Sequence, residues 1–592
     1  SFDGNVDIAS ITADPTNITT LLMSATIQAT ISKQLIDLDI AGTLALPYVQ
    51  DDNSTIVRET VGLAGFETEY LSKDEITALV DALTILGITD DINTFDGNVD
   101  IASITSDPTN IDTLLLSSTI QATITSQMVE LGDAGTLVVP YWEEAASSGG
   151  YTIANAVRIL VGTGVTETEY LSKQEIKDLV DALDVLGLTE DIDTFDGGVD
   201  IASVMADPAN IAIVLASATL QATISQQLLD LDVTETIDVP FLEEDDSTLV
   251  RVTVTDGINA STEYITASEI EAMFTALHTL GLTDDIENFG GSVDLGLLDA
   301  DGKIDDVVSS SILQATISTQ VIDIGTTATV AFVVPYWDDD TVTAQAIRIQ
   351  VGTTGQPDET NYVWSVEIKN IIKGMKILGI TDVTTFNGDI DLTSFLEPGT
   401  DRDTLLSSLI MKATISQQLI NLDDVDDVMI VPQKDIDTND IRIETGTLGV
   451  DDNVYIIESE IRAMFDALKT LGLDNINDFS GSIDLNNVYG VENQDIILAS
   501  AAMHATISDQ ILALDTGLPG SPVTVPDNDV ASTSLKASVA GTEFLIKNEI
   551  KAMINGLEVL QITDVTSFSG EFNLNLLNEN TYPGSQDALL SS

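Results

Sequence analysis

The sequence predicts an α+β chain built as a tandem array of six copies of roughly 95 residues and the start of a seventh, each copy holding two helices and a small antiparallel sheet. Three observations lead to this prediction: short markers that recur in a fixed order, apolar residues at helical spacing, and two strand-like runs between the helices. The 592 residues are 44% hydrophobic, which is enough apolar material for buried cores.

Three markers return in the same order along the chain. The first, Ala-Thr-Ile-Ser or a close variant, starts at Ala29, Ala122, Ala222, Ala315, Ala413 and Ala505. The second, Phe-x-Gly-x-apolar-Asp with Asn as its last residue in the seventh copy, starts at Phe2, Phe95, Phe195, Phe289, Phe386, Phe479 and Phe568. The third, a Val-Pro or Leu-Pro pair, has its prolines at Pro47, Pro140, Pro240, Pro335, Pro432 and Pro526. The copies are therefore residues 1–94, 95–194, 195–288, 289–385, 386–478 and 479–567, with a partial copy at 568–592.

The first predicted element of a copy is a helix. In the first copy, Asp14 is a favourable N-cap and Pro15 suits the first helical position. Apolar or small residues then recur at helical spacing from Ile18 to Ile36.

Two strands and a third, shorter one are predicted next. The first ends at Leu46-Pro47-Tyr48, the second covers 56–61, and an acidic turn at Asp51-Asp52 separates them. Proline within a strand-like run favours a strand end or an edge strand. The third strand covers 68–71.

The last predicted element is a second helix, which begins with a capping box. Ser72 caps the helix and Glu75 is expected to reach back to it. The box recurs at Ser172 to Glu175 and at Thr266 to Glu269. An apolar stripe follows Glu75, and Gly87 ends the helix.

The charge limits the partners of the chain. With 21 basic and 97 acidic residues, the formal net charge is −76. Phosphate binding needs Lys and Arg, so nucleic acid is excluded as a direct partner and anionic membranes are disfavoured. No apolar run reaches the ~20 residues of a membrane-spanning helix. Copies of the chain itself, cations and basic proteins are the expected partners.

The composition favours an exported protein. The chain has no cysteine, few lysines and strong acidity, which is typical of a bacterial extracellular or cell-surface protein. A halophile's cytoplasm would also explain the acidity. The sequence begins at Ser1 and stops where a helix of the seventh copy is expected, so we expect the array to continue.

The sequence predicts no enzyme. The two histidines, His278 and His504, occupy different positions in their copies, so no repeated or singly decorated catalytic site is indicated.

Calcium is a candidate ligand of the Asp-rich segments between copies. Hard oxygen ligands from Asp and Asn, with a glycine for the turn, are the material of calcium loops. The alternative is that these residues only form solvated turns at helix ends. The candidate ligands are Asp90, Asp91, Asp96, Asp100, Asp191, Asp196, Asp200, Asp294, Asp299, Asp301, Asp391 and Asp484.

One of these segments resembles part of an EF-hand loop. It runs from Asp299 to Asp305, but Leu297 and Val308 stand where the first and last ligands belong. A tight turn that replaces the helix start of the other copies is the alternative interpretation.

One basic residue recurs in the second strand of every complete copy. We expect it to form a structural salt bridge with carboxylates of its own copy or of a neighbour, rather than to recognise a ligand. The residues are Arg58, Arg158, Arg251, Arg348, Arg442 and Lys536.

Taken as a whole, the chain resembles long secreted bacterial tandem-repeat proteins, such as surface stalks, adhesin extender regions and extracellular fibres. The resemblance implies a structural rod, fibre, filament or surface-layer strand, with calcium at the joints. The alternative function is an adhesin-like binding array that presents its acidic turns to a protein or glycan, and a third is a halophilic cytoplasmic scaffold.

Overall fold

The structure is a computed structural model, and its described part leaves several gaps in the chain. The described residues are 6–50, 56–63, 67–140, 157–161, 168–243, 248–255, 261–298, 300–326, 332–335, 347–352, 360–395, 399–424, 428–435, 440–445, 453–516, 518, 520–526, 535–539, 542–571, 573–577 and 584–590.

The contacts within the chain define two compact units. The first comprises Ser1–Gly291, Ser309–Leu313 and Gly352–Asp358. The second comprises Ser292–Val308, Gln314–Val351 and Glu359–Ser592.

The described residues form 23 α-helices and six two-stranded antiparallel sheets, which confirms the α+β prediction. One helix in each copy carries the Ala-Thr-Ile-Ser marker, and we name these the marker helices: α3 (Ala25–Ile40), α7 (Ser118–Asp133), α11 (Ala218–Val233), α14 (Ser311–Thr326), α17 (Leu409–Asp424) and α21 (Ala501–Ala513). A second helix ends each copy, and we name these the closing helices: α4 (Lys73–Ile85), α8 (Lys173–Val185), α12 (Ala267–Thr279), α15 (Ser365–Ile377), α18 (Glu458–Thr470) and α22 (Lys547–Val559).

One or two short helices precede each marker helix, and one more lies in the partial seventh copy. They are α1 (Ile8–Thr12), α2 (Pro15–Leu21), α5 (Ile101–Thr105), α6 (Asn110–Leu114), α9 (Ile201–Met205), α10 (Asn210–Val214), α13 (Asp301–Val308), α16 (Thr400–Leu405), α19 (Leu485–Val488), α20 (Val491–Ile497) and α23 (Ser585–Leu590).

A hairpin lies between each marker helix and its closing helix. The strands are β1 (Arg58–Val61), β2 (Thr68–Leu71), β3 (Arg158–Val161), β4 (Thr168–Leu171), β5 (Arg251–Thr255), β6 (Ser261–Ile265), β7 (Arg348–Val351), β8 (Thr360–Val363), β9 (Arg442–Thr445), β10 (Asn453–Ile456), β11 (Lys536–Val539) and β12 (Thr542–Leu545). In the first hairpin Arg58 pairs with Leu71 and Val61 with Thr68.

A turn of 3-10 helix follows each closing helix and leads into the next Phe-x-Gly marker. We name these the junction turns: Ile92–Thr94, Ile192–Thr194, Ile286–Asn288, Val383–Thr385, Ile476–Asp478 and Val565–Ser567.

The first predicted helix is broken in two. Helix α2 ends at Leu21, and the marker helix α3 begins at Ala25. Ser24 stands between them, and its Oγ accepts a hydrogen bond from the amide of Ile27 at 3.4 Å. The serine side chain accepts the hydrogen bond that a backbone carbonyl would accept in a continuous helix. The break therefore depends on one polar side chain, and the pattern of apolar residues alone did not reveal it.

The strand predicted to end at Pro47 is absent from the described residues. Leu44 and Leu46 are buried there, but the described backbone next to them makes a single antiparallel bridge, from Val49 to Ile56. Proline lacks the N–H that a strand ladder needs, so the segment contributes apolar side chains without forming a strand.

Each hairpin packs against the marker helix of its own copy through polar groups. In the first copy the amide of Leu71 donates to Ser32 Oγ at 3.0 Å, and Gln28 Nε2 donates to the carbonyl of Leu71 at 2.9 Å. The side chain that aligns the two elements is the serine of the Ala-Thr-Ile-Ser marker.

Candidate functional site

The described structure places a buried glutamate between successive copies. Glu75, in the closing helix of the first copy, is 5% exposed. Its Oε1 accepts hydrogen bonds from Ser117 Oγ at 2.6 Å and from the amide of Thr119 at 2.8 Å. Its Oε2 accepts one from the amide of Ser118 at 3.1 Å. Glu75 therefore caps the marker helix of the second copy.

Four other glutamates make the same connection. Glu175, Glu269, Glu367 and Glu460 are each 4–6% exposed. Each accepts from the serine that caps the next marker helix, and these serines are Ser217, Ser310, Ser408 and Ser500. Each also accepts from at least one amide of the first turn of that helix.

The position of the glutamate suits its charge. The first turn of a helix has amides without intrahelical partners and the positive end of the helix dipole. The amide of Glu75 donates to Ser72 Oγ at 3.2 Å, so Ser72 caps its helix as predicted. The Glu75 carboxylate, however, does not reach back as expected, because the next marker helix offers it three donors.

Burial raises the pKa of Glu175, Glu269, Glu367 and Glu460. For Glu175, Glu269 and Glu460, the hydrogen bonds from the marker helix oppose this rise in pKa. For Glu367 burial raises the pKa to about 7, against the opposing effect of the amide of Ile410 and the hydroxyl of Ser408. The surrounding donors limit this rise because they stabilise the charged form of the carboxyl group.

The threonine of the marker forms a second connection between copies. Thr123 Oγ1 accepts from the amide of Ala45 in the preceding copy at 3.1 Å. The same bond recurs at 3.0 Å from Val138 to Thr223, from Val333 to Thr414 and from Ile430 to Thr506. The acceptors join the segment before each Pro marker to the following marker helix.

A glutamine connects the first marker with the second. Gln227 Nε2 donates to the carbonyl of Gly197, in the Phe-x-Gly segment, at 2.9 Å. Gln127 and Gln510 make the equivalent bond to Gly97 and Gly481 at 3.0 and 2.7 Å.

The recurrent basic residues pair within their own copies. Arg58 lies 2.7 Å from Asp39 Oδ2 and 2.8 Å from Glu69 Oε2. Arg251 pairs in the same way with Asp232 and Glu263. The remaining pairs are Arg158 with Glu169, Arg442 with Asp423, and Lys536 with Glu543. The side chain of Arg348 lies outside the described residues.

Most candidate calcium ligands cap helices or turns. Asp100, Asp200, Asp391 and Asp484 accept from the amide two residues ahead, and Asp294 does the same with Gly296. Asp91 accepts from Asn93 in the first junction turn. Asp96 accepts from Asn98 within its own loop, whereas Asp90 is exposed and its carbonyl accepts from the amide of Ile8.

Backbone bridges bring these aspartates together in pairs. In each complete copy, the Asp that ends the Phe-x-Gly marker forms an antiparallel bridge with the residue before the junction turn at the end of the same copy. The pairs are Asp7 with Asp91, Asp100 with Asp191, Asp200 with Asp285, Asp294 with Asp382, Asp391 with Asn475, and Asp484 with Asp564.

The segment that resembles an EF-hand loop is helical from Asp301 to Val308. Asp301 Oδ1 lies 2.9 Å from Lys373 Nζ, and Asp299 lies outside the described residues. Nowhere in the described ranges do three acidic or histidine side chains come together to hold a metal ion. Calcium binding stays a prediction.

No protein-family model, curated protein or solved structure matches this chain. Within the described helices, none is by itself long and apolar enough to span a bilayer, and the one pair that passes together, Val491–Ile497 with Ala501–Ala513, is bent by 104°.

Proposed function

We propose that the chain is an extracellular structural protein, whose acidic copies pack head to tail into an extended rod, fibre or surface-layer strand. The observation that supports this function is the buried glutamate, which recurs at five joints and caps the marker helix of the following copy.

A joint of this kind couples neighbours. The closing helix of one copy supplies a buried carboxylate, and the marker helix of the next copy supplies the groups that donate hydrogen bonds to it. If the two copies were apart, the carboxylate would lose its donors and the helix would lose its acceptor. In arrays where each copy contacts only its neighbours, stability is close to a sum of copy and interface terms, and length can change without redesign.

The charge favours an extended arrangement. A formal charge of −76 makes the copies repel one another over the screening length of about 8 Å at physiological salt. Fractionation of the native cells tests the proposed extracellular location. Recovery of the protein with the soluble cytoplasm would support the halophilic scaffold instead.

Small-angle scattering of the intact chain tests the proposed arrangement. A chain of head-to-tail copies should give a maximum dimension well above that of a sphere of the same mass. A compact particle in the same buffer would contradict the proposal.

The joint itself is tested by Glu175→Ala. The substitution leaves the hydroxyl of Ser217 and the amides of Ala218 and Thr219 buried without their acceptor, so we expect a loss of about 1–3 kcal/mol in the free energy of unfolding. Urea denaturation measures the loss. The control is Glu190→Ala, which removes an exposed carboxylate five residues after its closing helix ends. Equal effects of the two substitutions would contradict the role of Glu175.

A further inference from the structure

One apolar groove lies on the sixth copy. It has a volume of about 350 Å³, and it is formed by the closing helix α22, the segment before Pro526 and the short helix α23. Met553 and Gly556 of α22 line it together with Thr524 and Leu589. Of the residues that line it, none belongs to a marker helix. The groove is therefore an apolar surface that no marker helix of the described chain covers.

At the joints between successive copies, a marker helix fills the corresponding place. Gly374 of the fourth copy stands where Gly556 stands in the sixth, and a Cβ at Gly374 would lie 3.4 Å from Met411 of the next marker helix. The counterpart of Thr524 is Ile430, whose amide donates to the threonine of the next marker helix. The groove thus corresponds to a surface that holds a marker helix elsewhere in the chain.

The exposure of two side chains shows the same difference. Met553 is half-buried, whereas its five counterparts in the other closing helices are at most 1% exposed. Glu549 is half-buried too, whereas the glutamates of the five joints are 4–6% exposed. The counterparts of Met553 are Leu79, Leu179, Met273, Ile371 and Met464. In the five other copies, where a marker helix follows, both positions are buried.

The first copy has the complementary surface. Ile27, in the first turn of α3, is half-buried, whereas its five counterparts are fully buried. Ser24, which caps α3, is likewise half-buried, while the serines of the five joints are fully buried. The counterparts of Ile27 are Ile120, Leu220, Leu313, Met411 and Met503. Among these, Met411 is the one beside Gly374. Ile27 is therefore the side chain that fits beside Gly556.

The polar groups of the two surfaces also match. In the joints, a glutamate of the closing helix accepts from the capping serine, and an amide before the Pro marker donates to the marker threonine. On the sixth copy these groups are Glu549 and the amide of Thr524. On the first copy they are Ser24 and Thr30. Residues 1–592 thus carry both halves of one further joint, on different copies.

The short helix α23 takes up part of the groove. It packs against α22, as α16 packs against α15. Leu590 of α23 is 82% exposed, whereas its counterpart Leu406 is 2% exposed. Leu589 is half-buried, whereas its counterpart Leu405 is fully buried. Because buried apolar surface stabilises such a contact, α2 and α3 together can hold the groove better than α23 does alone.

We propose that α2 and α3 of one molecule dock on α22 of another molecule of this chain, with α2 in the place of α23. Ile27 then lies beside Gly556, and Ser24 donates to Glu549. The partner is a second molecule of the same chain because the same interface already joins successive copies five times. The proposal rests on the joint that supports the proposed function, and it extends that joint from copies of one chain to separate chains. An interface between two different surfaces of identical chains can continue in an open series.

Sedimentation velocity of the intact chain at several concentrations tests the docking. Sodium chloride at about 0.5 M screens the repulsion between two strongly acidic molecules. Between about 1 and 200 µM, where protein interfaces of modest affinity form, we expect the wild type to progress from single molecules to pairs and longer series. A constant mass over that range would overturn the proposal.

Two substitutions place a charge in the interface, one from each side. Ile27→Glu and Met553→Glu each put a carboxylate into the apolar contact, so we expect each to weaken the association at least tenfold. The matched controls are Ile40→Glu, at a position of α3 that is 75% exposed, and Val559→Glu, in α22 outside the groove. Both controls should associate like the wild type. Equal weakening by a substitution and its control would overturn the proposal.

A mixture of the two interface variants gives the sharpest result. The Ile27→Glu molecule retains an intact groove, and the Met553→Glu molecule retains an intact α3, so together they can form one interface. We expect the mixture to form pairs and nothing longer, although neither variant associates alone. Circular dichroism like that of the wild type shows that each variant is folded. Folded variants that stay single in the mixture would overturn the proposal.

The replacement of α23 by α2 has its own test. Leu589→Glu weakens the packing of α23 on α22, so we expect it to strengthen the association severalfold. An unchanged or weaker association would overturn the replacement. Small-angle scattering at the lowest concentration reports the shape of single molecules, so an elongated molecule that never associates would refute this docking and leave the proposed function standing.

Discussion

At the scale of single residues, the glutamates of the joints connect neighbouring copies, and each of the five joints uses one of them. The sequence located Glu75, Glu175 and Glu269 but assigned them to capping boxes, since Ser72 and Glu75 fit that pattern. A signal for the other role was present. Glu367 and Glu460 keep their place although Trp364 and an isoleucine stand where a capping serine belongs. A glutamate that is present where the capping serine is missing indicates that its carboxylate bonds to some other group. Which group that is depends on which copy packs against the glutamate.

Glu367 predicts a pH dependence of stability. Its pKa is about 7 in the folded chain against a usual 4.5, so the folded state holds a proton in a window where the unfolded chain has released it. The contribution of this group to stability is therefore lost as pH rises from about 4.5 through about 7. Between about pH 5 and about pH 8, we expect the wild type to lose roughly 1–3 kcal/mol more than Glu367→Gln.

Urea denaturation at several pH values measures this difference. Glu367→Gln cannot titrate at this position, and the other acidic groups are common to both chains, so the comparison isolates one carboxyl group. Parallel pH profiles for the two chains would show that Glu367 ionises normally.

At the scale of elements, each marker helix uses a different side chain for each neighbour. The threonine joins it to the preceding copy and the serine joins it to its own hairpin. The glutamine two residues after that serine joins it to its own Phe-x-Gly segment. Because each of these side chains makes a different contact, there is a physical reason for the whole marker to recur. Much of the buried surface of a marker helix is accordingly Ser, Thr and Gln.

Thr223→Val tests the connection between copies. Valine keeps the shape of threonine but removes the oxygen that accepts from the amide of Val138. We expect a loss of about 1–3 kcal/mol in the free energy of unfolding, because a part-buried amide loses its acceptor. Thr30→Val is the control, since Thr30 Oγ1 donates to the carbonyl of Thr26 in an exposed setting. A loss as large for Thr30→Val would mean that helix propensity alone is responsible.

The sequence predicted the elements better where local chemistry decides them. The closing helix and its cap at Ser72 follow the prediction, and so does the strand from Thr68 to Leu71. The break before Ala25 and the missing strand at Pro47 did not follow from local pattern. The hydrogen-bond partners of these segments come from the neighbouring copy or from a single capping side chain. The spacing of apolar residues along the sequence does not reveal such partners.

At the scale of the whole molecule, charge and packing act against each other. The formal charge of −76 favours separation of the copies, while shared glutamates, threonine bonds and apolar side chains hold them together. In the described residues, cations are placed mainly against acids of their own copy, as in the pairing of Arg58 with Asp39. Much of the acidity is left for the solvent to screen.

Salt should therefore stabilise the chain. Raising sodium chloride from about 0.05 M to about 0.5 M shortens the screening length severalfold and weakens repulsion between copies. We expect the melting temperature to rise by a few degrees, measured by circular dichroism. A melting temperature that stays constant or falls would show that the surface charges are already balanced by ions bound to the protein.

The backbone bridge between Asp7 and Asp91 has a mechanical consequence. The amides of Ile8 and Ala9 donate to the carbonyls of Asp90 and Thr89, and the amide of Ile92 donates to Val6, so a copy is entered and left at the same end of one short antiparallel contact. Tension on the chain would part these bonds one after another, as a zipper opens, instead of loading them together. If a copy then unfolded, the about 80 residues between the two sides of this contact would add roughly 27 nm to the length of the chain, at ~3.4 Å per residue. We expect the array to yield stepwise at low force and to lengthen under a sudden pull before any covalent bond is strained.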